Sequence, residues 1–437
     1  MMVEFPGDPE LRSTAEKLDQ QDPLAKYRDQ FFHPDPSQCY LDGNSLGKLP
    51  KASLSRVENF MRDEWATKLV DGWADWIDEA QEAGDLLAAA TLSTGPGQTL
   101  VCDTTSVNFY QLALAAISSR PSRKTVIIDS ANFPTDRYIL EGLARDRGLN
   151  LVTLDTDGMG GPGAVNIKSD YERVTAEELL PHLSDDVALV TLQAVNYRSG
   201  ARSEFAEIQA VVEASGAHML WDCSHAGGSI NLDFDKNKIN LAVGCTYKYG
   251  NSGPGAPAWM FVRESLQDEL QVPIQGWFAQ QDQFAMGPFF SKASGIRGFQ
   301  VASPPIMGIR AVTASYEMIR EAGISEIEKK AALGSQLMIE LVDKWLVPFG
   351  VSLGTPREPS LRGGHIMIRH PEASQIATAM RQMVNVIPDY RKPDAIRLAI
   401  SPLPTSYVEV WDGLNRLKGL LDSGAYLEAK PSLTRVT

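Results

Sequence analysis

Residues 186–222 decide the fold, and they read "DVALVTLQAVNYRSGARSEFAEIQAVVEASGAHMLWD". The runs "DVALVTLQAV" and "AHMLWD" at the two ends are almost continuously apolar, which is typical of strands buried on both faces of a sheet. Between them, "EFAEIQAVVEASG" repeats apolar residues at spacings of three and four and ends in glycine, as an amphipathic helix does. A strand, a connecting helix and a second strand predict parallel neighbours in one sheet.

The same alternation extends to both sides of this stretch. A further helix is predicted at "DRYILEGLARDRG" (136–148), and further buried strands are predicted at "KTVIID" (124–129), "NLVTLD" (150–155), "NLAVGCT" (240–246) and "APAWMFV" (256–262). The glycine-rich stretch "TDGMGGPGAVN" (156–166) reads as an exposed loop. The sequence therefore predicts an α/β domain whose mostly parallel sheet is covered by helices on both faces.

The pattern changes near residue 304. About 40 residues from "PPIMGIRAVTASYEMIREAG" onward are helical in pattern, and then "GGHIMIRH", "VNVIPDYR" and "AIRLAIS" supply short strands before a closing helix. This arrangement predicts a smaller α+β unit that a long helix joins to the large one.

Composition restricts the class of protein. A chain of 437 residues with 43% hydrophobic content can bury the cores of two or three compact units. The net charge of -14 disfavours nucleic acid and anionic membranes as partners. No window has the roughly 18 apolar residues of a spanning helix, and the N-terminal residues lack a signal-peptide pattern. We therefore expect neither a secretion signal nor a membrane segment.

Cysteine and histidine usage disfavours disulfide and metal chemistry. The four cysteines, Cys39, Cys102, Cys223 and Cys245, are widely spaced without a CxxC pair, so a reducing cytoplasm is the simplest setting. The six histidines are dispersed and none forms an HExxH pattern, so no metal site is expected. Neither a G-x-S-x-G elbow nor a P-loop is present.

Polar residues follow several predicted strands, where an open α/β sheet binds its ligands. Asp222, Lys248, Asn196 and Asp136 all fall at such positions. A lysine amine forms a Schiff base readily when burial or a nearby cation lowers its pKa. If the ligand is pyridoxal phosphate, an aspartate at the ring nitrogen keeps that nitrogen protonated. Taken singly, Lys248 would be a surface lysine and Asp222 a loop-junction residue, and it is their pairing at matched strand ends that favours a cofactor site.

Four further residues each have two interpretations. Thr105 and Ser106 precede an apolar helix and suit a phosphate group, although a helix N-cap is the commoner use of such residues. Phe133 follows a strand, where its ring could stack on a flat cofactor or simply fill the core. Arg397 stands in an apolar strand, where it could bind a substrate carboxylate or face outward from an edge strand.

Several stretches together resemble the kynureninase family, pyridoxal-phosphate enzymes of the aspartate aminotransferase fold (fold type I). The resemblance covers nearly the whole chain and includes "YLDGNSLGKLP" (40–50), "DTTSVNFY" (103–110), "NFPTD" (132–136), "AVNYRSG" (194–200), "WDCSHAGG" (221–228), "VGCTYKYGNSGPGAPAW" (243–259), "GWF" (276–278), "GIRGFQVASPPI" (295–306), "RGGHIMI" (362–368) and "IRLAISPLP" (396–404). It implies a mostly parallel seven-stranded sheet between helices in a large domain (51–310), a small α+β C-terminal domain (311–437), and an N-terminal arm (1–50) that contributes to the small domain and the dimer.

The resemblance also implies residue roles. Lys248 matches the Schiff-base lysine, Asp222 the partner of the pyridine nitrogen, and Tyr247 a tyrosine that contacts the phosphate and helps move protons. The other positions that match cofactor contacts are His225, Thr105, Ser106, Phe133 and Asp136, with Trp277 and Ser303 reaching the phosphate region from the partner subunit of a homodimer. The positions that match substrate contacts are Arg397, which would hold the carboxylate, Trp73 and Asn44.

The implied reaction is hydrolysis of L-kynurenine, or 3-hydroxykynurenine, by Cβ–Cγ cleavage to anthranilate, or 3-hydroxyanthranilate, and L-alanine. Some positions depart from the family pattern: Gln193 replaces an expected serine or threonine, Ala194 an often-found histidine and Gly250 a usual leucine, while Trp73 follows the bacterial enzymes. Two alternatives therefore stay open. One is a hydrolase acting on a modified kynurenine or another β-acyl alanine in secondary metabolism, and the other is a cysteine desulfurase or β-lyase.

Overall fold

The computed structural model describes residues 4–161 and 163–430 of the chain. Its α-helices are α1 (Arg12–Gln21), α2 (Lys51–Asn59), α3 (Ala66–Lys68), α4 (Trp73–Trp76), α5 (Glu79–Leu87), α6 (Thr105–Ser118), α7 (Pro134–Arg147), α8 (Ala176–Leu179), α9 (Phe205–Ala214), α10 (Glu264–Gln267), α11 (Ile306–Ala322), α12 (Ile324–Leu341), α13 (Ala373–Met383) and α14 (Tyr407–Ser423). Its strands are β1 (Cys39–Tyr40), β2 (Thr99–Val101), β3 (Thr125–Asp129), β4 (Asn150–Asp155), β5 (Ala164–Asn166), β6 (Val187–Gln193), β7 (His218–Asp222), β8 (Leu241–Gly244), β9 (Trp259–Val262), β10 (Ser352–Leu353), β11 (His365–Arg369), β12 (Val386–Ile387), β13 (Asp389–Arg391) and β14 (Ala395–Ala399).

The largest sheet has the strand order β2-β9-β8-β7-β6-β3-β4-β5. The six strands from β8 to β5 in that order are parallel, whereas β9 is antiparallel to both of its neighbours. Strands β3, β6, β7, β8 and β9 are buried along their whole length, as their continuous apolar runs predict. The predicted α/β class with a mostly parallel sheet is confirmed.

Within the described part of the chain, the sheet has eight strands instead of the predicted seven. Strand β5 lies inside the stretch 156–166 that was predicted to be a loop, where it pairs with residues 153–155 of β4 at the sheet edge. Because only three residues pair and none of them is buried, β5 leaves no apolar run in the sequence. The three-residue strand β2 is equally short, and its pairing partner β9 lies about 160 residues further along the chain.

Two large apolar clusters fill the interior. One joins the main sheet to the helices around it and includes Trp221, Trp259 and Phe109. The other joins Ala15 and Leu41 from the N-terminal arm to α12, α13, α14 and a four-stranded antiparallel sheet of order β10-β11-β14-β13. The domain limits at residues 50 and 310 stay predictions.

No helix within the described ranges is both long and apolar enough to cross a bilayer. The same part of the chain holds no group of three or more His, Cys, Asp or Glu side chains arranged to bind a metal ion.

Candidate active site

Sheet topology brings the polar residues that follow the strands to one edge. Strands β3, β6, β7 and β8 are consecutive parallel neighbours, so their carboxyl ends point the same way. Strand β9 reverses direction and β2 reverses it again, so the N-terminus of α6 begins at this same edge. Asp222 ends β7, Lys248 follows β8 and Phe133 follows β3. The strand-end rule therefore predicts their meeting correctly.

A cavity of about 250 Å³ opens at this edge. All but two of the residues expected to bind the cofactor line it, namely Thr105, Ser106, Phe133, Asp136, Asp222, His225, Tyr247 and Lys248. The two exceptions are Trp277 and Ser303. Residues separated by more than 140 positions in the sequence thus line one cavity.

Lys248 is the central amine of this cavity. Its Nζ lies 2.8 Å from Nε2 of His225 and 5.8 Å from the centre of the Phe133 ring. Burial lowers the pKa of Lys248, and burial together with the charge of Lys248 holds the pKa of His225 well below its usual range. His225 is therefore a neutral imidazole, and Lys248 loses its proton more easily than a surface lysine does. The lysine is not a surface charge, which was the alternative that the sequence left open.

Two carboxyl groups line the cavity with Lys248. Asp222 is buried, and its Oδ1 accepts a hydrogen bond of 2.8 Å from the backbone N–H of Ser224, which holds the side chain in place. Asp136 is also buried, and its Oδ2 has no hydrogen-bond partner among the described residues. Burial, followed by the charge of Asp222, raises the pKa of Asp136 well above its usual range. A polar atom buried in this state is typical of a position that contacts a ligand.

The first turn of α6 forms another part of the cavity wall. The N-cap of this helix is Thr104, whose side chain accepts from the backbone N–H of Val107. Thr105 and Ser106 therefore do not serve as the cap, and their hydroxyl groups make no hydrogen bond within the described part of the chain. Free hydroxyls and backbone N–H groups at a helix N-terminus suit a phosphate group.

Aromatic side chains form one side of the cavity. Phe133 is about one-third exposed, and its ring packs edge-on against Tyr197 at 5.4 Å. Tyr197 in turn lies 6.5 Å from the ring of His225. Tyr247 also lines the cavity, and the nearby Cys245 and burial raise the pKa of Tyr247, so its hydroxyl keeps its proton at neutral pH.

Five expected site residues do not line the cavity of their own chain, and Trp277, Ser303 and Trp73 are three of them. Trp277 is 43% exposed and Ser303 is also exposed. Trp73 contacts Trp76 at 5.7 Å and Phe278 at 6.3 Å, and it lines a separate apolar groove of about 330 Å³. A single chain therefore does not bring these residues to Lys248.

The two remaining substrate candidates are buried beside the cavity. Arg397 is 1% exposed and its guanidinium contacts the carboxylate of Asp389, so it does not face outward from an edge strand. Its Nη2 also donates to the hydroxyl of Ser45 at 2.9 Å. The neighbouring Asn44 is fully buried, and neither its amide oxygen nor its amide nitrogen has a partner within the described residues.

Packing accounts for two departures from the family pattern. A Cβ atom on Gly250 would lie 2.7 Å from the hydroxyl of Tyr316 and 2.3 Å from the carbonyl oxygen of Thr246, so Tyr316 occupies the space of a larger side chain. Gln193 bridges two backbone segments, since it donates to the carbonyl of Ala131 and accepts from the N–H of Tyr197. Neither Gly250 nor Gln193 lines the Lys248 cavity.

Sequence reasoning missed several residues of the site. Thr104, Ser224 and Gly255 also line the cavity. Thr104 and Ser224 could have been found because each lies within three residues of a predicted contact, and Gly255 because it lies in the "GPG" turn after Lys248. Ser45 and Asp389, which hold Arg397, have no local signal of this kind.

The donors in the cavity fit pyridoxal phosphate. The N-terminus of α6 with Thr105 and Ser106 suits the phosphate, the carboxylate of Asp222 suits a protonated ring nitrogen, and the amine of Lys248 suits the aldehyde. Oδ2 of Asp136 adds a buried polar atom that lacks a hydrogen-bond partner among residues 4–161 and 163–430.

Known proteins are similar in sequence to this chain. Residues 40–358 match the family model described as aminotransferase class-V, and residues 327–417 match the one described as kynureninase C-terminal domain. The kynureninase of Pseudomonas fluorescens is 34% identical over 421 residues, which cover 94% of this chain and 96% of that protein. The kynureninase of Burkholderia pseudomallei (strain 1106a) is 32% identical over 423 residues, covering 95% and 96%.

Solved structures support the fold. The apo cysteine desulfurase of Thermococcus onnurineus NA1 superposes with a TM-score of 0.74 at 16% identity, covering 97% of this chain and 99% of that one. A mutant of C-DES with glycine covalently linked to its pyridoxal-phosphate cofactor also has a TM-score of 0.74 at 16% identity, covering 90% and 98%.

Proposed function

The chain belongs to the kynureninase family and is a pyridoxal-phosphate-dependent hydrolase that cleaves the Cβ–Cγ bond of kynurenine, and we propose that it does so in the Lys248 cavity. The products are anthranilate, or 3-hydroxyanthranilate from the 3-hydroxy substrate, and L-alanine. The observation that carries the proposal is the contact of 2.8 Å between Nζ of Lys248 and Nε2 of His225 inside a cavity that Asp222 also lines.

Pyridoxal phosphate, when bound, supplies an electron sink for the carbon atoms of an amino-acid substrate. In our proposal, Thr105, Ser106 and the N-terminus of α6 hold its phosphate, and Phe133 packs against its ring. The carboxylate of Asp222, held by the N–H of Ser224, stabilises the protonated ring nitrogen. These assignments rest on the lining of one cavity.

Lys248 holds and moves the proton of the substrate α-carbon in this proposal. Its lowered pKa favours the neutral amine, which is the form that accepts a proton. His225, neutral and 2.8 Å away, orients Nζ of Lys248 and can exchange a proton with it. Tyr247 keeps its hydroxyl proton at neutral pH, so it can donate that proton during hydrolysis.

The desulfurase alternative needs a mobile catalytic cysteine. Cys39, Cys102, Cys223 and Cys245 are all buried and unpaired, and they are the four cysteines of the chain. Burial raises the pKa of Cys39 to about 11 and also raises the pKa of the other three thiols, which disfavours the reactive thiolate. The free thiols also support our proposal of a cytoplasmic setting.

Incubation of the holoenzyme with L-kynurenine is expected to yield equal amounts of anthranilate and L-alanine, measured by fluorescence and amino-acid analysis. A parallel assay with 3-hydroxykynurenine decides which ring the site prefers. Negligible turnover of both substrates would contradict the proposal and favour a modified kynurenine or another β-acyl alanine.

A homodimer with shared sites is the second part of the proposal. Trp277 and Ser303 are exposed and lie outside the cavity of their own chain, as residues that complete the site of a partner subunit would be. In such a dimer, each site takes Lys248 from one subunit and Trp277 from the other.

Hybrid dimers test this arrangement. Lys248→Ala and Trp277→Ala chains are each expected to have low activity, because one lacks the amine and the other binds the cofactor weakly. Co-expression of the two chains should restore activity, since a hybrid dimer keeps one intact site. As a control, co-expression of Lys248→Ala chains with Asp222→Asn chains should not restore activity. Both residues line the cavity of the same chain, so each site of the hybrid dimer carries one defect. Equal activity of the two mixtures would contradict the shared site.

A further inference from the structure

Arg397 and Asp389 are directly opposite residues in the small sheet. Strands β13 and β14 run antiparallel, and their register pairs Asp389 with Arg397. Each residue is 1% exposed. Opposite charges at facing positions of an antiparallel pair stabilise each other, and burial strengthens that attraction because little water screens it.

Asp389 occupies one side of the guanidinium. Oδ2 of Asp389 contacts both Nε and Nη2 of Arg397. Nη1 donates to the carbonyl oxygen of Tyr197 at 2.5 Å, and Nη2 also donates to the hydroxyl of Ser45 at 2.9 Å. A guanidinium has five N–H groups in a fixed plane, so a carboxylate that binds two of them must approach from the Nη1–Nη2 edge.

The Nη1–Nη2 edge of Arg397 faces the segment of Tyr197, which borders the cavity. The ring of Tyr197 packs against Phe133 at 5.4 Å and lies 6.5 Å from His225, and both of these residues line the cavity. The orientation of the guanidinium group is therefore defined. Its Nε side points to Asp389, and its other edge points to the segment that carries Tyr197.

We propose that Asp389 is a positioning residue for substrate recognition, which holds the Nε side of Arg397 so that the Nη1–Nη2 edge receives the substrate α-carboxylate. The substrate carboxylate takes the place of the Ser45 hydroxyl, so a charged hydrogen-bond acceptor replaces a neutral one. This inference rests on the proposed contact between Arg397 and the substrate.

The negative charge of Asp389 is essential to this role. The same Oδ2 atom also accepts from Nε of Arg391 at 2.9 Å, so one carboxylate serves two guanidinium groups. An asparagine in this place would put a neutral oxygen at the position of Oδ2, which weakens the contacts of that atom with both guanidinium groups. Arg397 would then lose its fixed orientation while keeping its charge.

Kinetics of the Asp389→Asn holoenzyme test the proposal with two substrates, L-kynurenine and its carboxamide. For L-kynurenine, KM is expected to rise about tenfold or more, as for a lost hydrogen bond to a charged group, with a much smaller change in kcat. The carboxamide carries no carboxylate, so its kcat/KM should change little. The dissociation constant of L-alanine, titrated through the visible absorption of the holoenzyme, should rise by the same factor as KM.

Matched variants separate positioning from a general structural effect. Asp394→Asn removes a carboxylate from the same hairpin that pairs with Arg369 and not with Arg397, and it should leave KM unchanged. Asp389→Glu keeps the charge, so its KM should lie between those of the wild type and Asp389→Asn. If the asparagine variant does not fold, the KM of Asp389→Glu is used to test the proposal.

Two results would overturn the proposal: a wild-type KM in Asp389→Asn, or an equal loss of activity on both substrates. If Arg397→Lys also leaves KM for L-kynurenine unchanged, the proposed carboxylate contact of Arg397 itself fails, which distinguishes the two proposals.

Discussion

Replacing Lys248 by alanine is expected to abolish hydrolysis of kynurenine, with kcat falling by at least about 10³-fold. The reason is that Lys248 is the amine of the cavity, buried and in contact with His225, and no other lysine of the described residues lines that cavity. The variant should also lose the visible absorption band of the lysine-held cofactor. Stopped assays of anthranilate formation and an absorbance spectrum of the purified protein measure the two effects.

Lys292→Met is the matched control for this variant. Lys292 is also partly buried, and its Nζ lies 4.5 Å from the centre of the Phe299 ring, outside the Lys248 cavity. Methionine keeps the aliphatic contact with Phe299, so this variant should retain the absorption band and most of the activity. A Lys248→Ala protein with the wild-type spectrum and rate would show that the amine acts elsewhere, and the site assignment would be wrong.

Replacing Asp222 by asparagine is expected to lower kcat by about 10²-fold or more, because the charge that favours a protonated ring nitrogen is lost. The asparagine oxygen can still accept from the N–H of Ser224, so the local backbone should be kept. Fold and cofactor content, measured by circular dichroism and by cofactor release, should therefore stay near the wild type while the rate falls.

Asp155→Asn provides the comparison for Asp222→Asn. Asp155 also ends a strand of the same sheet, β4, where it accepts hydrogen bonds from Ser130 and Gly158, and it does not line the cavity. Its replacement should leave kcat nearly unchanged. Equal losses in the two variants would mean that Asp222 acts on the sheet and not on the cofactor.

The positions predicted from the sequence agree best with the structure where they depend on a local pattern of apolar and polar residues. The apolar runs that end near Asp222 and Lys248 identified strands β7 and β8, and parallel neighbours bring their carboxyl ends together without any further information. For the same reason Phe133, which follows strand β3, could be expected at the cavity, and Thr105 and Ser106 could be expected there because they precede the apolar helix α6. The short strands β2 and β5 could not be predicted from the sequence, because three-residue pairings at a sheet edge leave no apolar pattern.

The sequence by itself determined the α/β class and the strand ends, since these depend on spacings within single strands and helices. Only the tertiary structure decided how Arg397 is held, because Ser45, which contacts it, is 352 residues away in the chain. The same holds for Gly47, where a Cβ atom would lie 2.4 Å from the carbonyl oxygen of Lys248, and for Gly250, whose missing side chain makes room for Tyr316. Such contacts join surfaces of separately formed elements, and their fit depends on atomic packing that no local pattern of residues encodes.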